Sequence, residues 1–504
     1  FKPEFASAYF NIGVTFADQS KVNEAIAAFN AALSLKPDYP EVHYNIGKIL
    51  IDQGKLDEAI ASFDKALKLE PNHASARLLK VFQQARICDW TSVEKERSFW
   101  TNLGTKGKIG MPVFPFLSLE DNPDSQRMRS EINAQRKFSQ KALPFLTKSA
   151  TRPQRLRIGY FSSDYKEHPV GYLIAKLLEQ HDRDAFEVFG YSLHESSQSE
   201  LRQRLITAFD CFVDVKDLSD RDVALRARQD NIDIAVDLMG YTKNSRTGIF
   251  AYRAAPIQIN YLGYPGTLGA DFMDYIVADQ NLIPPEHQKY FTEKQLYLPY
   301  TYMPTDNGRE LSKKSITRSD FGLPVNSFVF CAFNNNYKIT RSEFDIWMRL
   351  LHKVEGSVLW LKSENIWMVS NLQKEARKRG IDPTRLVFAR RLAHDSYLAQ
   401  FKQADLYLDT FNYNAGTTAS DVLMAGLPIV TKLGETYASR MAASLLNAAN
   451  LRELITKTAE EYENLKCISK IPFLKKIKDS VTFFVCGASR SSAFSLKLLE
   501  SLHR

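Results

Sequence analysis

One segment of the chain combines a helix start suited to phosphate with an acidic residue about one turn later. An apolar strand over 406–408 leads through small residues to Gly416, Thr417 and Thr418, where the pattern predicts that a helix begins. The first N–H groups of a helix lack partners within it and lie at its positive end, so they favour anionic oxygens. Asp421 could then accept a hydrogen bond from a ribose hydroxyl. An ordinary capped helix is the alternative interpretation.

A carboxylate and an imidazole lie four residues apart after the strand predicted over 156–161. Asp164 and His168 stand in the stretch Ser-Ser-Asp-Tyr-Lys-Glu-His-Pro at the carboxyl end of that strand. An acid and a histidine in such a loop could transfer a proton or orient a nucleophile. The alternative is a surface loop in which the aspartate caps a helix and the histidine is solvated.

Two more loops after predicted strands carry residues suited to a phosphorylated ligand. Lys338 follows the strand over 328–333, and a lysine there could neutralise a departing diphosphate without a metal ion. A solvated lysine is the alternative. Gly263 opens a glycine-rich stretch after the strand over 257–262. Glycines there let the backbone approach a ligand closely, although a tight turn explains them nearly as well.

These loops need sheets that bring their strand ends together. Strands alternating with helices are predicted in two groups, at 156–161, 186–191, 232–237, 257–262 and 275–277, and at 328–333, 358–361, 386–388, 406–408 and 429–431. Each group predicts a doubly wound α/β sheet, whose ligands bind at the carboxyl ends of the strands. Two such domains in tandem predict a ligand cleft between their strand ends.

The first 70 residues repeat with a period of 34. The repeat is carried by the matching pairs Pro3/Pro37, Asn11/Asn45, Gly13/Gly47, Ala25/Ala59, Phe29/Phe63 and Ala32/Ala66. A small residue where helices cross, an aromatic residue in the second helix and a proline at the unit's end are typical of tetratricopeptide repeats. Each unit is a helix hairpin that buries its apolar face only against neighbours. Two full units and a partial third predict further repeats upstream or a cap from the next domain.

Composition favours a multi-domain globular protein. The chain has 504 residues, with 44% hydrophobic and 25% charged residues, which is too long for a single core. No stretch approaches the roughly 18–20 apolar residues that span a bilayer, so no membrane role is predicted. The net charge of +8 is modest and spread along the chain, and it does not predict a nucleic-acid partner. Five cysteines without metal-ligand spacing favour a reducing cytosol.

Several stretches, taken in order, resemble the O-linked N-acetylglucosamine transferase family, most closely its bacterial members. They are the repeats, Cys88-Asp89-Trp90, Arg157-Ile-Gly-Tyr-Phe-Ser-Ser-Asp, Leu262-Gly-Tyr-Pro-Gly-Thr, Tyr337-Lys338, Thr417-Thr418 and Gly434-Glu-Thr-Tyr-Ala-Ser-Arg. The resemblance covers essentially the whole chain. It implies an inverting transfer of N-acetylglucosamine from UDP-N-acetylglucosamine to serine or threonine hydroxyls of proteins, with neither a metal nor another cofactor.

The resemblance also implies the domain organisation. We predict tetratricopeptide repeats over 1–90 and a helical connector over 91–155. A Rossmann-like catalytic half follows over 156–312, and a nucleotide-sugar-binding half with C-terminal helices over 313–504. The predicted fold class is therefore an α-helical solenoid followed by two α/β domains in the GT-B arrangement.

Roles for individual residues follow from the same resemblance. His168 or Asp164 would handle the proton of the acceptor hydroxyl, and Lys338 would stabilise the departing diphosphate. Donor contacts are implied at Asn335, Thr417, Thr418, Asp421, Gly263, Pro265 and His394. Asn11 and Asn45 match an asparagine ladder that grips the backbone of protein substrates, and Leu79 interrupts the ladder at the next position.

Three positions depart from the animal members and leave the donor open. Gly416 stands where some members carry a histidine beside the diphosphate, Asn335 where animal members have a glutamine, and His394 where they have a lysine. A sister group with the same architecture uses GDP-fucose, which is the alternative donor. A repeat-bearing adaptor without activity is the alternative of another class, and the retention of His168 and Lys338 argues against it.

Overall fold

The computed structural model describes residues 3–106, 110–144, 154–195, 198–309, 312 and 316–464. The C-terminal helices predicted beyond residue 464 lie outside this part of the chain. The described residues form two compact units. One comprises the residues up to Lys106 together with Asn335–Arg341 and Glu364–Glu375, and the other comprises the rest.

The first unit contains the helix hairpins predicted from the 34-residue period. Its helices are α1 (Pro3–Asp18), α2 (Val22–Leu35), α3 (Pro40–Asp52), α4 (Leu56–Leu69), α5 (Ala74–Arg86), α6 (Trp90–Lys95) and α7 (Arg97–Trp100). Gly13 and Gly47 lie where the two helices of a hairpin cross. A methyl group on Gly13 would lie 2.6 Å from the ring of Phe29, and one on Gly47 would lie 2.5 Å from that of Phe63. The repeated glycine therefore makes room for the repeated, fully buried phenylalanine.

The second unit begins with two connector helices, α8 (Phe116–Leu119) and α9 (Pro123–Lys137). A parallel sheet follows, with strands in the order β3-β2-β1-β4-β5-β6-β7. Its elements are β1 (Leu156–Ser162), α10 (Pro169–Glu179), β2 (Phe186–Ser192), α11 (Glu200–Thr207), β3 (Cys211–Asp214), α12 (Asp220–Gln229), β4 (Ile234–Asp237), α13 (Gly248–Ala251), β5 (Ile257–Asn260), β6 (Tyr275–Ala278) and β7 (Lys294–Tyr297). The strand order reverses beside β1, so the loop after β1 opens at the switch point where ligands bind.

A second parallel sheet has the order β10-β9-β8-β11-β12-β13. Its elements are β8 (Val329–Ala332), α14 (Arg341–Lys353), β9 (Val358–Lys362), α15 (Ile366–Lys378), β10 (Leu386–Ala389), α16 (His394–Gln400), β11 (Leu406–Leu408), α17 (Thr417–Met424), β12 (Ile429–Lys432), α18 (Met441–Ala448), β13 (Ile455–Thr456) and α19 (Ala459–Glu463). Here the order reverses between β8 and β11, which places the loop from β11 to α17 at the switch point.

All ten predicted strands are present, and three strands that were not predicted extend the sheets. These are β3, β7 and β13, which lie at the edges. The sequences Cys-Phe-Val-Asp and Lys-Gln-Leu-Tyr are only partly buried, and β13 has two residues. An edge strand packs on fewer neighbours than a central one, so it does not need the continuous apolar run by which the central strands were recognised.

Candidate active site

The loop between β11 and α17 is held in place by the buried carboxylate of Asp409. Its Oδ1 accepts hydrogen bonds from the backbone N–H of Ala415 at 2.7 Å and from Asn334 Nδ2 at 2.9 Å. Its Oδ2 accepts one from Thr431 Oγ1 at 2.7 Å. Burial raises the pKa of Asp409 to about 6, although these hydrogen bonds lower it. One carboxylate thus fixes the path of the chain into α17.

The start of α17 presents hydrogen-bond donors that the described part of the chain does not use. No side chain caps the helix, and the backbone N–H groups of Thr417 and Thr418 have no acceptor among the described residues. The hydroxyl of Ser420 is buried and has no partner there either. Gly416 precedes the helix, and a side chain at that position would clash with Met441. The donors and the helix dipole make this a site suited to phosphate.

Asp421, one turn into α17, forms a buried ion pair with Arg309. The guanidinium Nη1 lies 2.6 Å from Asp421 Oδ1, and the two side chains are 3% and 5% exposed. Burial raises the pKa of Asp421, and the charge of Arg309 opposes this. The ion pair therefore offsets part of the cost of burying this carboxylate.

His394 begins α16 close to this ion pair. Its ring stacks on that of Tyr172 from α10, with the centroids 3.6 Å apart and the planes 8° from parallel. Burial and the nearby charge of Arg309 lower the pKa of His394 to about 4, so its imidazole is neutral at pH 7. Tyr397, one turn along the same helix, is in hydrogen-bonding reach of Thr418.

Asp164 and His168 lie together in the loop after β1. His168 Nδ1 is 3.3 Å from Asp164 Oδ2, and Lys166 Nζ is 3.5 Å from Asp164 Oδ1. His168 is also the N-cap residue of α10, where its Nδ1 is 3.4 Å from the backbone N–H of Val170. As the helix cap, Nδ1 accepts the N–H of Val170, whereas a proton placed on Nδ1 towards Asp164 would leave Nε2 as an acceptor. Burial lowers the pKa of His168, while Asp164 raises it and Lys166 lowers it, so the ring is neutral at pH 7.

The second unit brings these two loops into one region. Helix α10, which His168 caps, packs against α17, which begins at Thr417. The helices that follow these two loops, from two different sheets, are therefore in contact, and Tyr172 of α10 lies near the charges of Arg309 and Asp421. Sequence reasoning missed Arg309, Tyr172 and Tyr397. Arg309 lies in a polar connection and the tyrosines in amphipathic helices, and no local signal distinguishes them from ordinary surface and core residues.

Gly263 and Pro265 lie in the loop after β5. A side chain on Gly263 would collide with the carbonyl oxygen of Leu238, and Leu262 has a positive φ of 73°. Close approach of two backbone segments is thus sufficient to explain the glycine. Pro265 is buried. The structure gives both residues a packing role, and their contact with a donor stays a prediction.

Lys338 belongs to the first unit, in a turn that is packed against the end of the repeats. The turn spans Asn336–Lys338, and Lys338 itself is 8% exposed. Trp90 Nε1 donates a hydrogen bond to the carbonyl of Ile339 at 2.9 Å, and the ring of Phe82 lies 5.1 Å from that of Tyr337. The Cys88-Asp89-Trp90 stretch therefore has a definite structural task, which is to hold the lysine-bearing turn.

The remaining predicted contact residues also lie in the first unit. Asn335 Nδ2 donates to the hydroxyl of Tyr337 at 3.2 Å. Asn11 and Asn45 occupy equivalent positions on α1 and α3, and Asn11 is exposed. Asn45 Nδ2 donates to the carbonyl of Glu41 in its own helix at 2.8 Å. An extended chain would have to replace that bond in order to be gripped by Asn45.

Within the described ranges, no three histidine, cysteine, aspartate or glutamate side chains are arranged to hold a metal ion. In the same part of the chain, no helix has the length and apolar character needed to cross a membrane.

Comparison with known proteins places the whole architecture in one family. The model of glycosyl transferase family 41 matches residues 132–315 and 304–498, and a tetratricopeptide-repeat model matches residues 16–81. The probable UDP-N-acetylglucosamine–peptide N-acetylglucosaminyltransferase SEC of Arabidopsis thaliana is 36% identical over 70% of this chain. The UDP-N-acetylglucosamine–peptide N-acetylglucosaminyltransferase of Caenorhabditis elegans is 30% identical over 63% of it. The chain spans only 37% of the length of each of these relatives.

A solved structure agrees with both the fold and the sequence patterns. A mutant of the Thermobaculum terrenum O-GlcNAc transferase matches with a TM-score of 0.74 and 27% identity, covering 99% of this chain and 90% of that one. The predicted fold class, helical repeats followed by two α/β domains in the GT-B arrangement, is confirmed. The protein belongs to glycosyl transferase family 41.

Proposed function

We propose that this chain carries the catalytic part of a protein O-glycosyltransferase, which moves N-acetylglucosamine from UDP-N-acetylglucosamine to serine or threonine hydroxyls of proteins. The observation that carries the proposal is the pairing of two loops in one unit. One, at Thr417 and Thr418, offers unused donors to phosphate, and the other holds the neutral His168 beside Asp164. The names of the relatives and of the solved structure support the same donor.

The reaction proceeds as a single displacement with inversion. An oxygen lone pair of the acceptor hydroxyl attacks C1 of the sugar, and the bond from C1 to the diphosphate oxygen breaks, with its electron pair leaving on that oxygen. The hydroxyl proton passes to the imidazole of His168 or to the carboxylate of Asp164. A hydroxyl is a weak nucleophile, so alignment and stabilisation of the leaving group supply most of the acceleration.

Charge on the leaving diphosphate is compensated by protein groups alone in this proposal. The N–H groups at the start of α17 contribute fixed dipoles that need no reorganisation during the reaction. The resemblance assigns the remaining compensation to Lys338, which is 8% exposed. No metal ion or other cofactor takes part.

The acceptors in this proposal are proteins, held in extended form by the repeats through Asn11 and Asn45. A reducing cytosol is the proposed compartment. It is supported by the free thiols of Cys88, Cys211 and Cys331, because such thiols persist in reducing surroundings.

The proposal is tested by calorimetry with UDP and GDP, followed by transfer assays with radiolabelled UDP-N-acetylglucosamine and GDP-fucose and a mixture of protein acceptors. We expect micromolar binding of UDP and transfer from the UDP-sugar only. Preference for GDP and transfer of fucose would replace the donor while keeping the enzyme class. A folded sample that binds neither nucleotide would favour an inactive adaptor.

Chelation gives a separate test of the metal-free chemistry. We expect the transfer rate to be unchanged in excess EDTA, because the proposed reaction compensates leaving-group charge with protein groups rather than with a cation. The rate is measured with the chelator alone and after adding back Mg²⁺ or Mn²⁺. Loss of activity that either ion restores would contradict the proposal.

For the repeats, we expect Asn45→Ala to slow transfer to protein acceptors several-fold while leaving hydrolysis of the donor unchanged. Asn45 lies in the repeats, so its amide acts on acceptor binding and not on the sugar. Asn30→Ala, which changes an exposed asparagine outside the ladder, serves as the matched control. Equal losses in both assays, or equal effects of the two variants, would contradict a substrate-gripping role.

A further inference from the structure

A buried arginine reaches the donor region from the chain connecting the two sheets. Arg309 lies between β7 and β8 in sequence, and its Nη1 donates to Asp421 Oδ1. The guanidinium is held from behind, because Nε donates to the carbonyl of Asp306 at 3.3 Å. Asp306 is itself anchored by Arg204 at 2.6 Å. The contacts of Asp306 therefore hold the guanidinium of Arg309 in place.

The ion pair uses only part of what the two side chains offer. Asp421 Oδ2 accepts no hydrogen bond from the described residues, while Oδ1 is taken by Arg309. Because Arg309 occupies Oδ1, rotation of the carboxylate is restrained and Oδ2 is the oxygen left for another donor. Asp421 thus offers one oriented acceptor to a ligand.

Two buried nitrogen atoms beside this carboxylate also lack partners. Nη2 of Arg309 and Nε2 of His394 are shielded from solvent and have no hydrogen-bond partner among the described residues. Leaving a buried N–H group of a guanidinium unpaired is unfavourable, and native proteins rarely do so without a reason. The ring of Tyr172 covers one face of His394. Arg309 and His394, which lies near the charge of Arg309, thus each have a buried nitrogen that a polar ligand would satisfy.

We propose that Arg309 is a positioning and specificity-determining residue for the nucleoside part of the donor. It orients Asp421 so that Oδ2 accepts a hydrogen bond from a ribose hydroxyl, and its own Nη2 donates to an acceptor oxygen of the same nucleoside. The inference rests on the proposed function, because it concerns how the nucleoside diphosphate of that reaction is recognised.

Removing the 2′-hydroxyl of the ribose tests this inference directly. We expect the wild-type chain to bind UDP about 10-fold or more tightly than 2′-deoxy-UDP, since a hydrogen bond to a charged group is lost. In Arg309→Met, UDP binding weakens and this ratio falls to about 1–3, because Asp421 loses its orientation and its charge partner. Arg309→Lys restores part of the affinity for UDP but little of the preference for UDP over 2′-deoxy-UDP. A lysine ammonium lacks the planar arrangement of N–H donors that a guanidinium has.

A double-mutant cycle separates positioning from a merely structural role. Asp421→Asn should lower the ratio of UDP affinity to 2′-deoxy-UDP affinity to about 1. In the double variant, Arg309→Met should change this ratio little further. Arg318→Met is the matched control, because it removes a different arginine–aspartate pair, which is partly buried and joins Arg318 to Asp405 at 2.8 Å. The control should leave the ratio unchanged. Melting temperatures of all variants identify those that fail to fold.

Different outcomes overturn the role of Arg309 alone or the proposed transferase function as well. If Arg309→Met weakens UDP and 2′-deoxy-UDP equally, Arg309 is structural and the inference is overturned while the proposed function stands. If the wild type prefers GDP, the same comparison is made with GDP and 2′-deoxy-GDP, since the ribose is shared. If the folded wild-type chain binds no nucleotide, both the function and the inference are overturned.

Discussion

Replacing Lys338 by methionine should lower the turnover of the transferase by about 10²-fold or more while the chain remains folded. The substitution keeps the length of the side chain and removes the charge. In the proposed reaction, negative charge grows on the diphosphate as the bond to C1 breaks. Stabilisation of such charge by preorganised groups is usually the largest single contribution to lowering the activation barrier. The loss should therefore exceed any loss in acceptor binding.

The measurement is steady-state transfer from UDP-N-acetylglucosamine, with UDP binding by calorimetry and a melting curve for each variant. Lys402→Met is the matched control, because Lys402 is exposed and outside the site. We expect the control to keep wild-type turnover. Unchanged turnover in Lys338→Met would remove Lys338 from the mechanism. A large fall in melting temperature would instead assign the lysine to the packing of its turn against Trp90.

Replacing His168 by glutamine should lower turnover by about 10²–10⁴-fold if its imidazole takes the acceptor proton. Glutamine keeps hydrogen-bonding atoms but cannot accept a proton at neutral pH. His194→Gln is the matched control, since His194 is an exposed histidine of the same half of the protein. If transfer persists in His168→Gln and is lost in Asp164→Asn, the carboxylate is the base and the histidine only positions it.

The pH profile provides an independent check on the same residue. Catalysis by neutral His168 should fall as the pH decreases through its pKa, which burial places below the ordinary value of 6.5. Lys166 lowers this pKa, so Lys166→Met should move the acidic limb of the profile to higher pH. Asp164 raises it, so the residual activity of Asp164→Asn should have its limb at lower pH. A limb that neither substitution moves would belong to another group.

Elements with a repeated or continuous apolar pattern were predictable from sequence. The 34-residue period predicted the hairpins because each repeat solves the same packing problem, as Gly13 and Phe29 show. Nine of the ten predicted strands are central, and these were predictable because both faces of a parallel sheet are buried. The edge strands β3, β7 and β13 were not predictable, because the burial of an edge strand depends on which other segments of the chain pack over it.

The candidate site was predictable in its parts. Asp164 and His168 lie in the loop after β1, and Thr417 and Asp421 lie in the helix that follows β11. The rule that ligands bind at strand ends points to each of these segments separately. Gly263 was ambiguous in sequence, since one glycine signal serves both ligand approach and packing. The structure shows that contact with the Leu238 backbone is enough to require it.

The sequence by itself determined the family, the two sheets and the residue types that can bind phosphate and move a proton, because these depend on local pattern and chemistry. Only the tertiary structure decided which of these residues meet. The ion pair of Arg309 with Asp421 joins positions 112 apart in sequence, and the stack of Tyr172 on His394 joins helices that flank different sheets. Such contacts arise from how two sheets pack against each other, and no local pattern in a single sequence records that packing.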